Sequence, residues 1–201
     1  PDFISNFLAN RSFRVRIGTS LSDAYKQEIG VPQGSILSVT LFILKINSII
    51  KCLPAGIRGS LYMDDFLICF RSKTMKSIER QLQLCLNGIQ TWADENSFQF
   101  SKTKTVCMHF SNVNSVHADP DLQLYGESIP VVAETKFLGL ILDKKLTFIP
   151  HIKYLEDRCM KALNLLRVVA HKDWGADCAT LLLLNSHVRS KLDYGCVVYG
   201  S

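Results

Sequence analysis

A ten-residue segment of this chain reads Leu61-Tyr62-Met63-Asp64-Asp65-Phe66-Leu67-Ile68-Cys69-Phe70. Two adjacent carboxylates interrupt an apolar run, and runs of this length that are rich in β-favouring residues predict buried strands. Burying two like charges is unfavourable unless something compensates them. We therefore predict a tight β-hairpin with Asp64 and Asp65 at its tip, where the flanking residues pack and the carboxylates project into a cleft.

The paired carboxylates have two interpretations. Carboxylate oxygens are hard ligands that suit Mg²⁺, so a divalent cation is one natural compensation for the paired charge. Alternatively, the aspartates occupy a turn in which their side chains cap backbone amides. The apolar context on both sides favours the cation site.

The composition is that of a globular protein with reduced cysteines. Hydrophobic residues make up 47% and charged residues 20% of the chain, which excludes a disordered protein. The net charge of +5 permits a polyanionic partner without requiring one. Seven scattered cysteines predict free thiols in an intracellular compartment, the nucleus or the cytoplasm. No signal peptide is recognised, and the longest apolar stretch, residues 36–50, is too short and too polar to predict a membrane span.

The hydrophobic pattern predicts an α+β domain followed by a helical region. Residues 13–17 alternate as a half-buried strand, and residues 24–29 can pair with them. A glycine-bounded loop at residues 30–35 leads into a mostly buried helix over residues 36–50. Beyond the aspartates, the pattern predicts an amphipathic helix marked by Ile78, Leu82, Cys85, Ile89 and Trp92, a turn and strand over residues 98–110, short strands up to residue 142, and helices from residue 148 onward.

Five motifs in order along the chain resemble those of reverse transcriptases, in particular the non-LTR, LINE-type branch with jockey-like retrotransposons. The first two are Gly30-Val31-Pro32-Gln33-Gly34-Ser35-Ile36-Leu37-Ser38 and Tyr62-Met63-Asp64-Asp65. The other three resemble the lysine motif, the primer-grip hairpin and the thumb segment of that family: Phe100-Ser101-Lys102-Thr103, Phe137-Leu138-Gly139-Leu140 and Arg189-Ser190-Lys191-Leu192-Asp193-Tyr194-Gly195.

The resemblance implies a polymerase palm, an antiparallel sheet with packed helices, followed by a helical thumb. It places a partial palm with the primer-grip hairpin in residues 1–145 and a partial thumb in residues 146–201. The implied activity is RNA-directed DNA polymerisation, in which two Mg²⁺ ions, or Mn²⁺, assist transfer of a dNTP to a primer 3′-hydroxyl. The implied partners are an RNA template, a DNA primer and dNTPs.

The resemblance also assigns roles around the aspartates. It makes Asp64 a direct metal ligand and Asp65 a supporting one, with Tyr62 and Met63 beneath the primer terminus and the incoming base. Met63 stands where non-LTR enzymes commonly have alanine. It looks more like the retroviral form and should crowd the pocket slightly.

The loop Pro32-Gln33-Gly34 is either a shaped turn or a substrate-binding element. The resemblance implies that Gln33 lies beside the templating base and sugar, and that Gly34 lets the backbone approach the nucleotide closely. Val39 departs from the proline usual at this position in the family, which should affect how the following helix starts.

Lys102 is, on its own, an ordinary surface lysine. The resemblance implies instead a cation near the triphosphate that stabilises or protonates the pyrophosphate leaving group, with Lys104 as the competing assignment. Phe137, Leu138 and Gly139 are either core-strand residues or a hairpin that pushes the primer toward the aspartates.

The basic residues of the helix predicted over residues 148–172 also have two interpretations. They are a solvated helix face, or they contact the phosphates of a duplex. The residues concerned are Lys153, Arg158, Lys161 and Arg167.

Two family features are missing from these residues. Reverse transcriptases carry a further catalytic aspartate upstream, whereas residues 1–20 offer only Asp2, in the wrong context, and the fingers are absent. We therefore expect the chain to be a piece of a longer protein and to lack polymerase activity alone. Two alternatives stay open: a catalytically dead remnant that binds nucleic acid or a protein, and the palm of an intron maturase or telomerase-like enzyme.

Overall fold

The computed structural model describes residues 2–111, 118–170 and 175–200. The chain divides into two compact units, Pro1–Phe100 and Ser101–Ser201. The elements of the first unit are α1 (Asp2–Leu8), β1 (Ser12–Phe13), β2 (Arg16–Ile17), β3 (Ser20–Leu21), β4 (Tyr25–Lys26), α2 (Ile36–Ile46), a 3₁₀ helix (Asn47–Cys52), β5 (Arg58–Tyr62), β6 (Asp65–Cys69) and α3 (Met75–Glu95). Strand β1 pairs with β4, β2 with β3 and β5 with β6, all antiparallel.

Helix α3 builds the core of the first unit. Cys85, Ile89 and Trp92 are buried at the helical period that the sequence predicts, so the amphipathic helix is confirmed. Ile49 of the 3₁₀ helix is fully buried in the same cluster. The indole N–H of Trp92 donates a hydrogen bond to the hydroxyl of Ser48 at 2.8 Å, which ties the two helices together.

The β5–β6 hairpin rests on this core with one face. Leu61, Phe66 and Ile68 pack against the buried cluster. On the other face, Tyr62 and Leu67 are 62% and 39% exposed. The prediction of two buried strands is therefore wrong, since these strands have one packed side and one solvent-facing side, as is common in antiparallel pairs.

Helix α2 also differs from the prediction. The α-helix ends at Ile46, and the chain continues as a 3₁₀ helix instead of one helix to residue 50. Ile36 and Leu44 are largely exposed, so the helix is not mostly buried. Ser38 and Ile46 are its buried residues.

The second unit combines short hairpins with a helical pair. Its elements are β7 (Gln123–Leu124), β8 (Glu127–Ser128), β9 (Glu134–Phe137), β10 (Leu140–Asp143), α4 (Ile149–Val169), α5 (Cys178–Asp193) and α6 (Cys196–Tyr199). Strand β7 pairs with β8 and β9 with β10, both antiparallel. The strand predicted over residues 98–110 is reduced to one parallel bridge between Cys107 and Val131, so that prediction is largely wrong.

Asp143 fixes the junction between β10 and α4. Its carboxylate accepts hydrogen bonds from the backbone N–H groups of Lys145, Thr147 and Phe148 and from the Thr147 hydroxyl, at 2.8 to 3.2 Å. Burial raises the pKa of this carboxyl, but the hydrogen bonds outweigh burial and hold the pKa below its usual value. The carboxylate thus fixes the backbone immediately before α4.

The coarse prediction of mixed helices and small antiparallel strands is confirmed. Each sheet formed by the described residues has two strands. The finer assignment of palm and thumb, with its boundary after residue 145, stays a prediction. All seven cysteines are free thiols, and none of the helices that the structure describes is long and apolar enough to cross a bilayer.

His151, in the first turn of α4, is buried against β10 and two tyrosines. Its Nδ1 accepts a hydrogen bond from the backbone N–H of Ile141 at 3.3 Å. Its ring centroid lies 6.3 Å from that of Tyr154 and 4.8 Å from that of Tyr199. Burial first, and then the positive charge of Lys136, lower the pKa of His151, so the folded chain favours the neutral imidazole.

We predict that the free energy of unfolding falls as the pH is lowered from 7 to 5. The unfolded chain takes up a proton at His151 near the ordinary pKa of about 6.5, whereas the folded chain resists it. His151→Phe removes this titrating group and should reduce the loss of unfolding free energy between pH 7 and 5, measured by urea unfolding at each pH. His187→Phe replaces an exposed histidine on α5 and should leave this loss as it is in the wild type. An unchanged fall in His151→Phe would contradict the account.

Candidate functional site

The two aspartates lie at the tip of the β5–β6 hairpin. Tyr62 pairs with Asp65 in the register, which leaves Met63 and Asp64 as a two-residue loop. Met63 has a φ of 54°, in the left-handed region that favours glycine in such hairpin loops. The tip is therefore strained at the residue that precedes the first carboxylate.

Asp64 and Asp65 are both exposed to solvent. Among the hydrogen bonds and ion pairs of the described residues, none involves either side-chain carboxylate. The burial cost that motivated the cation prediction is therefore absent from this hairpin. The two carboxylates are instead free to bind a ligand from solvent.

The donor set at the tip fits a hard divalent cation. Mg²⁺ is usually held by one or two protein carboxylates, with water and substrate phosphates completing its coordination. No group of three or more His, Cys, Asp or Glu side chains converges within residues 2–111, 118–170 and 175–200. A site for two cations would therefore need a further acidic ligand beside Asp64 and Asp65.

Two glycines with positive φ values shape the loop at residues 30–35. Gly30 and Gly34 have φ values of 90° and 91°, which a residue with a side chain adopts only at a cost. The Arg11 guanidinium donates a hydrogen bond to the Gly30 carbonyl at 2.6 Å and fixes the loop from outside. Pro32 is half-buried and Gln33 is exposed. Conformation alone explains both glycines, and the exposed amide of Gln33 is the group available to a partner.

Lys102 belongs to the second unit and has a protein partner. Its ammonium lies 2.6 Å from the carboxylate of Glu127 and 5.9 Å from the ring centroid of Tyr125. Lys104 is exposed. Lys102 thus forms an ion pair that the sequence pattern did not predict.

Phe137, Leu138 and Gly139 lie at the β9–β10 hairpin, also in the second unit. Its two loop residues, Leu138 and Gly139, have φ values of 45° and 84°. The hydroxyl of Tyr194, just after α5, donates a hydrogen bond to the Leu138 carbonyl at 2.7 Å. A Cβ atom at Gly139 would lie 2.9 Å from the Tyr194 ring. The hairpin tip is therefore fixed by the segment that follows α5.

Sequence reasoning missed a cluster around Tyr154 on α4. The ammonium of Lys136, on β9, and the guanidinium of Arg158 each donate a hydrogen bond to the Tyr154 hydroxyl oxygen at 3.1 Å. These hydrogen bonds lower the pKa of Tyr154. Arg158 follows Tyr154 by one helical turn, which the sequence could have indicated, but only the fold brings Lys136 to them.

An open groove of about 360 Å³ lies between helices α4 and α5. Its lining mixes basic and apolar side chains: Arg158, Lys161, Ala162, Leu165, Leu184, His187 and Lys191. The carboxylates of Glu156 and Asp157 on α4 are not part of it. Two of the four basic residues predicted on this helix therefore face the groove.

Comparison with known proteins links the chain to one family. The sequence profile of the family described as "Reverse transcriptase (RNA-dependent DNA polymerase)" matches residues 1–142. The matched region contains the loop at residues 30–35, the aspartate hairpin, Lys102 and the turn at residues 137–139. No solved structure gives a significant match.

Three curated proteins of mobile elements are similar to the chain. It is 28% identical over 172 residues to the probable RNA-directed DNA polymerase from transposon BS of Drosophila melanogaster, covering 82% of this chain and 19% of that protein. It is 27% identical over 209 residues to the RNA-directed DNA polymerase from mobile element jockey of the same organism, covering 98% and 22%. It is 28% identical over 172 residues to the retrovirus-related Pol polyprotein from type-1 retrotransposable element R1 of Bradysia coprophila, covering 85% and 17%. The chain thus spans about a fifth of the length of these relatives.

We predict that Gly139→Ala destabilises the second unit more than Gly126→Ala does. Both glycines end two-residue hairpin loops at positive φ, 84° and 74°, so each alanine costs about 1 kcal/mol of backbone strain. Gly126 has open space around the new methyl group, whereas at Gly139 it meets the Tyr194 ring at 2.9 Å. Urea unfolding of both variants measures the difference.

Adding Tyr194→Ala to each variant isolates the contact. In the Tyr194→Ala background, the two glycine substitutions should lower the free energy of unfolding equally, because the new methyl group no longer meets the ring and only the backbone strain remains. Equal costs in the presence of Tyr194 would show that the ring does not hold the hairpin tip.

Proposed function

The chain belongs to the reverse transcriptase family, and we propose that it forms the palm and part of the thumb of an RNA-directed DNA polymerase. Its substrates are a dNTP and the 3′-hydroxyl of a DNA primer paired with an RNA template. The observation that carries the proposal is the exposed, unpaired carboxylate pair of Asp64 and Asp65 at a hairpin tip inside the matched region. The names of the relatives favour a mobile element over an intron maturase or a telomerase-like enzyme.

The paired carboxylates hold the catalytic cation. When bound, Mg²⁺ or Mn²⁺ activates the attacking hydroxyl and neutralises charge on the phosphates. Asp64 is the direct ligand, and Asp65 supports the coordination from the next position. Tyr62 and Met63, exposed beside them, provide apolar surface beneath the primer terminus and the incoming base.

The remaining matched residues position substrates. Pro32 and Gly34 shape the loop that presents Gln33 to the templating base. Lys102 leaves its ion pair with Glu127, binds the triphosphate and stabilises the leaving group. The hairpin tip of Phe137, Leu138 and Gly139 contacts the primer.

A second candidate function is nucleic-acid binding without catalysis. The described residues bring no third acidic ligand to the aspartates, which favours it for these 201 residues by themselves. The same observation predicts that the isolated chain does not extend a primer, because one of two metal ions lacks an anionic ligand.

The test compares primer extension by the 201-residue chain and by the full-length product of its gene, with Mg²⁺ or Mn²⁺, dNTPs and a primed RNA template. We predict extension by the full-length protein only, reduced to background by Asp64→Asn. Asp94→Asn changes an exposed aspartate on α3 and should keep wild-type activity. Extension that survives Asp64→Asn would refute the proposal, and robust extension by the 201 residues would refute the requirement for a further ligand.

A further inference from the structure

We propose that Glu127 is a positioning residue that competes with the dNTP triphosphate for Lys102 and thereby sets the affinity for the nucleotide. The inference rests on the proposed function, because it deepens the role given there to Lys102. Glu127 itself belongs to none of the five motifs that carry the family resemblance.

The first argument is that the fold holds the lysine on a fixed turn. Lys102 and Glu127 are 25 residues apart in the sequence, and both lie in the second unit. The Ser101 carbonyl accepts hydrogen bonds from the backbone N–H groups of Lys104 and Thr105, at 3.3 and 3.0 Å, and from the Thr105 hydroxyl at 2.7 Å. These hydrogen bonds fix the backbone from which the Lys102 side chain extends.

The second argument is that the β7–β8 hairpin holds the carboxylate. Glu127 pairs with Leu124 across a two-residue loop, Tyr125 and Gly126. Both loop residues have positive φ values, 52° and 74°, as is typical of tight hairpins. Leu124 is buried and anchors the strand opposite Glu127. The carboxylate is thus presented to the Lys102 ammonium from an anchored hairpin.

The third argument is that the ion pair is close but easily opened. The Lys102 ammonium lies 2.6 Å from the Glu127 carboxylate, and the two side chains are 36% and 63% exposed. Water can therefore solvate both ions when the pair opens. Exposed ion pairs favour the closed state over the open one by only about 1.4- to fivefold. A ligand that offers the ammonium more negative charge than one carboxylate does can displace Glu127.

A triphosphate is such a ligand, because its adjacent phosphates carry several negative charges and form charge-assisted hydrogen bonds with an ammonium. Lys102 binds either Glu127 or the triphosphate, so only molecules with an open pair are competent for the nucleotide. The apparent Kd rises by the reciprocal of that open fraction. The dNTP affinity is then about two- to sixfold weaker than it would be without the Glu127 charge.

The same competition predicts no effect of Glu127 on the chemical step. At saturating dNTP, the ion pair is open in every molecule, and Lys102 contacts the triphosphate whether or not residue 127 is charged. A change at Glu127 should therefore alter the dNTP KM and leave kcat as it is. A purely structural role would instead lower kcat or weaken binding.

The experiment measures KM and kcat of the full-length protein for dNTPs on a primed RNA template with Mg²⁺. Glu127→Gln keeps the shape of the side chain and removes its charge, so it should lower the KM about two- to sixfold with kcat unchanged. The Kd of a fluorescent dATP analogue is measured in parallel on a primer that ends in a dideoxynucleotide, where no chemistry occurs. It should fall by the same factor.

Glu134→Gln is the matched control, because it removes one exposed negative charge from the same unit. Glu134 takes part in none of the ion pairs among the described residues. The control should leave KM, kcat and Kd as they are in the wild type. Equal tightening in the two variants would overturn the proposal, because any loss of negative charge would then suffice. An unchanged or raised Kd in Glu127→Gln would also overturn it.

Lys102→Gln tests whether Glu127 acts through the lysine. In this background, adding Glu127→Gln should change neither KM nor Kd, because no ammonium is left to compete for. Tightening that persists without Lys102 would overturn the proposal, in favour of direct repulsion between Glu127 and the triphosphate.

Asp64→Asn separates this proposal from the polymerase assignment. If extension survives Asp64→Asn, the polymerase assignment fails, while binding of the dATP analogue still decides the role of Glu127. If Asp64→Asn abolishes extension and Glu127→Gln does not tighten binding, the role of Glu127 fails and the polymerase assignment stands. A full-length protein that does not bind the analogue would contradict both.

Discussion

The packing of helix α3 against one face of the β5–β6 hairpin is the constraint on which the first unit depends. Cys85, Ile89 and Trp92 form the buried stripe, and Phe66 and Ile68 pack on it from the strands. Because side chains alternate along a strand, fixing this face sends the opposite one to solvent. The tip of the hairpin, residues 62–65, is exposed to solvent. The side chains of Asp64 and Asp65 there make no ion pair with the described residues.

In the second unit, hydrogen bonds from single side chains hold separate backbone segments. The Asp143 carboxylate holds the start of α4, and Tyr194 holds the tip of the β9–β10 hairpin. In addition, Lys136 and Arg158 both donate hydrogen bonds to the Tyr154 hydroxyl oxygen. Among the described residues, Asp64 and Asp65 of the first unit and Lys136 and Arg158 of the second unit are thus exposed charged side chains without an ion-pair partner.

The sequence predicts local features of this fold better than non-local ones. The periodicity of α3 identifies its buried face, and the apolar segment interrupted by Asp64 and Asp65 identifies the hairpin. The segment does not show which strand face is packed, because both faces are apolar and only tertiary contacts distinguish Leu67 from Phe66. The pairing of Lys102 with Glu127 and the meeting of Lys136 with Tyr154 join distant positions, which neither periodicity nor motif spacing encodes.

The polymerase proposal requires the tip of the β5–β6 hairpin to bind a divalent cation. Backbone NMR of the chain with Mn²⁺ and a dNTP can locate the ion, because paramagnetic broadening is strongest for the nearest amides. We predict broadening centred on the amides of residues 62–66 and its loss in the Asp64→Asn, Asp65→Asn double variant. Broadening centred elsewhere, or unchanged by the double variant, would contradict it.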